Sequence, residues 1–335
     1  MIRFAIVSFA HMHAHSYVRV LKELEREGIA SLKAIYDDDI DRLRITSEIY
    51  RPEKIYKDIY SLAEDRDIEA VIIASENVKH REHAIPMIRS GKHVLVEKPI
   101  ATRYRDGYEM VEEARRHGVK LQVAFVMRYH DASIEVKRGI SDIGKIFSIT
   151  AANRGKNPLG WFVDPDLAGG GAFMDHIVHV ADLIRWYTDK EFIEVTAFKA
   201  KNIVENIKVE DNGIIIAKLQ DDILASIDCS WSIHPRWPVW GDVYMHIIGE
   251  RGAIMLNAFN QNIYISDEKG FRGIYYGPDA DRNMIESFIN AIEKDIEPIA
   301  SGIDGLRALE VVLAAYKSIQ EGRAVRIEEI RSSSP

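Results

Sequence analysis

Two stretches of this chain combine reactive side chains with a backbone that can present them. The first is Val94-Leu95-Val96-Glu97-Lys98-Pro99. A run of branched apolar residues ends in a carboxylate, an ammonium and a proline. Pro99 cannot continue a ladder of backbone hydrogen bonds and biases Lys98 toward an extended conformation. A lysine at such a strand end can polarise or protonate an oxygen. An ordinary solvated Glu-Lys pair would read the same way locally, so the rest of the chain must decide.

The second stretch is LAGGGAFMDHIVHVADLIRW. Gly169, Gly170 and Gly171 permit backbone conformations that other residues resist. In the helix that follows, Asp175, His179, Asp182 and Trp186 are spaced i, i+4, i+7 and i+11 and share one stripe. Ile177, Val180, Ala181 and Ile184 form an opposite stripe suited to a core. An aspartate one turn from a histidine makes an acid–base pair, because imidazole titrates near neutrality and a carboxylate can fix its tautomer. A lone histidine here would be read as an interior side chain. The glycines and the aspartate partner favour chemistry.

The elements that position these groups alternate. Residues 2–9 form an apolar strand, followed by a helix with apolar spacing at Val18, Leu21 and Leu24, stopped by Gly28. Strands SLKAIY, EAVIIAS, KHVLVE and KLQVAFV are separated by helices near 39–48, 58–64, 80–90 and 104–117. Such alternation predicts parallel strands joined by right-handed crossovers, a doubly wound Rossmann sheet over residues 1–125. Beyond it, residues 153–171 read as a long loop and about 172–187 as a helix. Strands then follow one another with no long helix between them, from EFIEVTAFKAK to NIYISDE. The fold class is therefore α/β, with an α+β domain at 126–335 built on a large, mostly antiparallel open sheet. Two helices near 281–293 and 303–321 close the chain, and RSSSP is expected to fray.

A dinucleotide fold should carry three glycines in its first strand-to-helix turn. Here those positions are Ser8, Ala10 and His13. Serine and alanine still allow a close approach, and the helix N-terminus still favours a diphosphate. Candidate cofactor contacts are therefore Phe9, Ala10, His11 and Met12. Asp37 closes the second strand, where a carboxylate can accept from a ribose and repel a 2′-phosphate. With Asp38 and Asp39 beside it, NAD is preferred over NADP. Ser75, Asn77 and His80 lie at the carboxyl edge of the next strand, and Glu97 and Lys98 complete the set. His11, His13 and His15 could ligate a metal, but spacing through a loop-to-helix turn does not ensure convergence, and no metal is assigned.

The bulk properties set limits. The chain has 335 residues, 47% hydrophobic and 29% charged, with a formal net charge of −8 and a single cysteine, Cys229. Without a basic stretch it is not a nucleic-acid binder. One cysteine excludes an internal disulfide. No apolar run approaches the ~18 residues of a spanning helix, and a cytoplasmic protein is expected.

Together, VIIASENVKHREHAIPMIRSGKHVLVEKP, VAFVMRY, IGKI and GGGAFMDHIVHVADLIRW resemble the Gfo/Idh/MocA family of NAD(P)-dependent oxidoreductases over nearly the whole chain. The resemblance implies hydride transfer between a sugar or polyol carbon and nicotinamide, with Lys98, Asp175 and His179 as catalytic residues. It implies substrate contacts at Arg128, Trp161, His176 and Asp182, and a homodimer or homotetramer paired through the open sheet. Two alternatives come with it: a non-catalytic NAD- or sugar-sensing regulator, and an enzyme that uses tightly bound NAD for transient oxidation in glycoside cleavage or epimerisation. Three positions depart from the family pattern: the glycine-poor loop, Glu76 in place of a proline, and His176 after the aspartate.

Overall fold

The structure is a computed structural model and describes residues 1–332. The chain forms two compact units, Met1–Val126 with Asp281–Leu306, and Met127–Ala280 with the segment from Arg307 onward.

In the first unit, β1 (Ile2–Val7), β2 (Ala30–Tyr36), β3 (Lys54–Tyr56), β4 (Ala70–Ile73), β5 (His93–Val96) and β6 (Leu121–Val123) make one parallel sheet in the order β3-β2-β1-β4-β5-β6. Phe4–Val7, all of β4, and Val94–Val96 are buried, as strands covered on both faces must be. Helices α1 (His13–Arg26), α2 (Ile40–Tyr50), α3 (Ile59–Glu64), α4 (His80–Arg89) and α5 (Tyr104–His117) provide the crossovers. Asp39 and Asp58 cap α2 and α3 by accepting from the amides of Arg42 and Ser61. Strand order reverses between β1 and β4, and a crevice outside the carboxyl ends of the strands opens at such a point. The three-residue β3 escaped the sequence reading because it is too short for a periodic pattern. Helix α1 begins at His13, so of the three histidines expected in a loop-to-helix turn His13 and His15 are helical.

In the second unit, α6 (Asp131–Gly139) precedes β7 (Ile146–Gly155) and α7 (Pro165–Ala168). The expected long loop at 153–171 is thus partly strand and partly helix. A π-turn at Phe173–Ile177 then leads into α8 (Val178–Thr188). Next come β8 (Phe192–Lys199), β9 (Asn212–Leu219), β10 (Leu224–Ser230), β11 (Gly241–Gly249) and β12 (Gly252–Asn257), followed by a separate hairpin of β13 (Asn262–Asp267) and β14 (Gly270–Tyr275). Helix α9 (Ala280–Glu293) follows. Helix α10 (Gly302–Glu321) gives its first turn to the first unit and the rest to the second. Strand β15 (Val325–Arg326) and α11 (Ile327–Ser332) end the described chain. The frayed tail expected at 331–335 concerns two residues of α11 and three outside the described residues.

The large sheet runs β12-β11-β7-β10-β9-β8-β15, and all its pairs are antiparallel except β10 with β7. Along β9, Gly213, Ile215, Ala217 and Leu219 point inward while Ile214 and Ile216 are exposed. This is the period-two pattern of a sheet with one covered face.

Candidate functional site

At the carboxyl edge of the parallel sheet, the chain closes its nucleotide-type turn without glycine. Ser8 itself takes the left-handed conformation, at φ 69°. Hydrogen bonds hold it there: Ser8 N–H donates to Tyr36 O at 2.7 Å, Phe9 N–H to Asp37 Oδ2 at 2.8 Å, and His11 N–H to Ala74 O at 2.9 Å. The turn is thus stitched to the ends of β2 and β4. At its far side Ala14 N–H bonds back to His11 O, and the exposed Met12 stands at the N-cap of the helix. A helix start of this kind suits a diphosphate.

Asp37, expected on a ribose, is fully buried. It accepts from the Phe9 and Asp39 amides and, bidentately at 2.7 Å, from the Arg42 guanidinium. Its oxygens are therefore occupied by the protein. Asp38, about a third exposed, offers the carboxylate at this edge and pairs with Lys79 at 2.5 Å. Glu76, the residue in place of the family proline, is buried and joins the same network, 3.1 Å from Lys79 and 3.7 Å from Arg42. Ser75 Oγ is buried without a hydrogen-bond partner among the described residues, so the end of β4 presents a hydroxyl that a ligand can satisfy. That orphan, the helix start at Met12 and the acidic edge fit a dinucleotide. Asn77 is buried beside Ser75. His80 differs: its Nδ1 bonds Pro99 O at 2.8 Å, and burial lowers its pKa, so it ties α4 to the turn after β5.

Glu97 and Lys98 follow β5, both almost wholly buried. His13 Nδ1–H donates to Glu97 Oε1 at 2.9 Å, the Tyr17 hydroxyl donates to the same oxygen, and His11 Nδ1 lies 3.8 Å away. Burial opposes charge on Glu97, yet His11, His13 and Lys98 outweigh it and hold the carboxyl well below its usual range. Burial also lifts the Tyr17 phenol well above its ordinary value. Although no metal was assigned from spacing, ligand atoms of His11, His13 and Glu97 do lie within 4.8 Å of one another. They are already engaged, since His11 Nδ1 accepts from the His13 amide. His15 turns away to Tyr50 Oη at 2.5 Å.

In the second unit the glycine run has a packing cause. A Cβ on Gly170 would lie 1.9 Å from Tyr316 Oη, and one on Gly171 would lie 1.9 Å from Glu210 O. Glu210 Oε1 accepts from the Gly171 and Phe173 amides, each at 3.0 Å, and from Tyr316 Oη at 2.8 Å. It thereby caps the start of the helix that carries Asp175. Sequence reasoning missed both residues, because nothing near them in the chain marks a helix start that lies 39 residues before Glu210 and much further still before Tyr316.

Asp175 Oδ2 accepts from Trp231 Nε1 at 3.0 Å and lies 3.2 Å from His176 Nε2. Trp231 is rooted among Phe162, Ala172 and Val209, with Trp161 packed against that cluster and stacked on Phe162 at 3.9 Å. His179 sits half-buried in the first turn of α8. Arg128 and Asp182, expected on the substrate, are closed on each other in a buried two-fold pair of 2.7 and 2.6 Å, and Arg128 lies over the Trp186 ring at 5.6 Å. Opening that pair on one side would leave a bare buried charge, which costs about 3–5 kcal/mol. Their geometry fits anchoring of α8.

Comparison with known proteins agrees. Residues 2–125 match the family model described as an oxidoreductase family, NAD-binding Rossmann fold, and residues 135–255 match the GFO/IDH/MocA C-terminal domain. The chain is 31% identical over 317 residues to myo-inositol 2-dehydrogenase of Thermotoga maritima, covering 90% of this chain and 92% of that protein. It is 27% identical over 281 residues to 1,5-anhydro-D-fructose reductase of Ensifer adhaerens, covering 81% and 83%. A crystal structure of a probable dehydrogenase from Thermotoga maritima superposes with a TM-score of 0.84 at 27% identity, over 98% of this chain and all of that one. With both of its units matched, this chain belongs to the Gfo/Idh/MocA family and is an NAD-dependent oxidoreductase.

Proposed function

We propose that the enzyme oxidises a secondary hydroxyl of a cyclic polyol or sugar, and reduces the corresponding ketone in reverse. The observation that carries this reading is Lys98, an ammonium buried at the carboxyl end of β5 beside a carboxylate held ionised. The myo-inositol and anhydrofructose enzymes named above act on such compounds, which supports the substrate class.

In this reading His179 takes the proton of the substrate hydroxyl, and Lys98 stabilises the developing alkoxide by charge and hydrogen bond. Asp175, anchored by Trp231, sets the electrostatics of the same helical face. Bound NAD supplies the hydride acceptor. Ser75, Asn77, the turn at Phe9–Met12 and Asp38 hold the dinucleotide. Asp37 acts one step back, by fixing the Phe9 amide and Arg42. Glu97 holds His13 and Tyr17 in place beside Lys98.

Nicotinamide absorbance recorded over a panel of inositols, aldoses and anhydro sugars tests the reading. Lys98→Ala should lower turnover by about 100- to 1,000-fold with NAD affinity largely kept. Near-normal turnover would remove Lys98 from the chemistry.

The outer face of the large sheet exposes Phe147, Phe198, Ile214, Ile216 and Leu224. We read it as the surface through which two or four copies pair, to be checked by light scattering. No helix among the described residues is long and apolar enough to cross a membrane. The single buried thiol, Cys229, accords with a cytoplasmic setting.

A further inference from the structure

Lys79 stands between two carboxylates. Its Nζ donates to Asp38 Oδ2 at 2.5 Å and lies at ion-pair distance, 3.1 Å, from Glu76 Oε2. Asp38 follows β2 and Glu76 follows β4, and β1 runs between those two strands. Two strand spacings, about 10 Å, separate their ends. One ammonium therefore links the two strand ends that flank the turn at residues 8–13. Glu76 Oε1 also lies 3.7 Å from Arg42 Nη1, the guanidinium already given to Asp37. Asp37, Asp38, Asp39 and Glu76 thus share two cations, Arg42 and Lys79, and the group keeps a surplus of negative charge.

Glu76 is the member of this group that the backbone does not require. Its φ is −61°, the angle a proline ring fixes, so a proline would stand there at the same φ. Its side chain is about nine-tenths buried, and Oε2 receives no hydrogen bond among the described residues. A buried carboxylate with so little hydrogen bonding costs stability. What it adds is negative charge beside Lys79 and Arg42. Ser75, the residue before it, has a buried hydroxyl with no hydrogen-bond partner among the described residues. The same strand end is therefore both charged and open to a ligand.

In a dinucleotide fold the adenosine ribose meets a carboxylate near the end of the second strand, and a 2′-phosphate needs a cation there instead. We propose that Glu76 is a specificity-determining residue that rejects a 2′-phosphate on the cofactor, by occupying Lys79 and by adding a negative charge at the ribose edge. The proposal rests on the placement of Asp38 at that edge. Asp38 favours NAD by accepting from the ribose. Glu76 disfavours NADP by leaving no cation for the phosphate.

The test is calorimetric titration of the full-length enzyme with NAD and with NADP, which reads binding apart from turnover. Glu76→Gln keeps the size of the side chain and removes its charge. It should tighten NADP by about tenfold, the scale of one nearby charge in a partly exposed site, while NAD changes by less than about threefold. Glu76→Pro should shift the ratio in the same direction, and the NAD titration shows that each variant is folded. Adding Lys79→Met to Glu76→Gln should remove most of the gain, because the released ammonium is what receives the phosphate. An unchanged ratio of NAD to NADP affinity in both single variants would overturn the proposal. So would a ratio that shifts only because NAD binds more weakly. A double variant that keeps the whole gain would overturn the part given to Lys79. Asp38→Asn probes the underlying placement separately: it should weaken NAD by about tenfold, the loss of a charged hydrogen-bond acceptor. Unchanged NAD affinity in that variant would remove Asp38 from the ribose edge, whatever Glu76→Gln shows.

Discussion

The turn at residues 8–13 and the turn at 169–171 both stand before a helix that carries functional groups, and they treat glycine in opposite ways. The first has none: Ser8 adopts the left-handed conformation itself, at φ 69°, and cross-strand hydrogen bonds hold it there. The second has three, and at two of them a neighbouring oxygen occupies the space a side chain would need. Glycine is replaceable where a turn asks only for an unusual dihedral angle, a strain of about 1–2 kcal/mol that hydrogen bonds can offset. It is not replaceable where another atom already fills the Cβ position.

This contrast predicts a graded series. Gly171→Ala should have the largest effect, about 3 kcal/mol of stability in urea unfolding, because Glu210 O belongs to the backbone and cannot swing aside. Gly170→Ala should cost about 2 kcal/mol, and Tyr316→Phe in the same chain should recover part of it by removing the oxygen at 1.9 Å. Failure of that rescue would mean that dihedral freedom, not space, explains Gly170.

Next comes a pH effect. Burial raises the Glu210 carboxyl above its ordinary value, against the donors from Phe173, Tyr316 and Gly171. A carboxyl raised in the folded state favours its protonated form, so its contribution to stability is fullest below the unfolded-state pKa and declines as pH rises through the folded one. Chemical unfolding followed upward from about pH 4 should show that decline, and Glu210→Gln should flatten it while keeping the cap acceptor. Ser8→Gly should be mildest, within about 1 kcal/mol of the unchanged protein and with NAD still bound, since relieved strain and added chain entropy nearly cancel. A larger loss by calorimetry would show that the Ser8 hydroxyl, which accepts from Ala10 and Arg42, matters more than the backbone.

Local pattern carried the parallel sheet. The unbroken apolar runs of β1, β4 and β5 announce strands buried on both faces, and glycines such as Gly28 and Gly118 mark helix ends. The Gfo/Idh/MocA membership was legible for a similar reason, because Glu97-Lys98-Pro99 and the run from Gly169 to Trp186 are contiguous in the chain. What stayed hidden depends on distance. Nothing in the alternation of strands and helices marks 281–306 as belonging with the first unit. Arg42 on Asp37, Arg128 on Asp182, Trp231 on Asp175 and Glu210 beneath the glycines are partners chosen by the fold, and three of these four pairs span tens of residues. A residue can be recognised from its neighbours in sequence as able to bind a ligand, but only its neighbours in space show whether it is already spoken for.

Arg42 shows what this means for redesign. One guanidinium grips Asp37 with two bonds and stands within 4 Å of Asp38, Asp39 and Glu76, four acids drawn from two strand ends. An engineer wishing to convert the enzyme to a cofactor with a 2′-phosphate would look for a spare cation at this edge, and Arg42 is already committed. Neutralising Asp38 alone leaves three acids still competing for it, and neutralising Asp37 releases the Phe9 amide and loosens the turn. Cofactor exchange here is a problem of several coordinated substitutions, and libraries that vary Asp37, Asp38, Arg42 and Glu76 together should succeed where single changes stall.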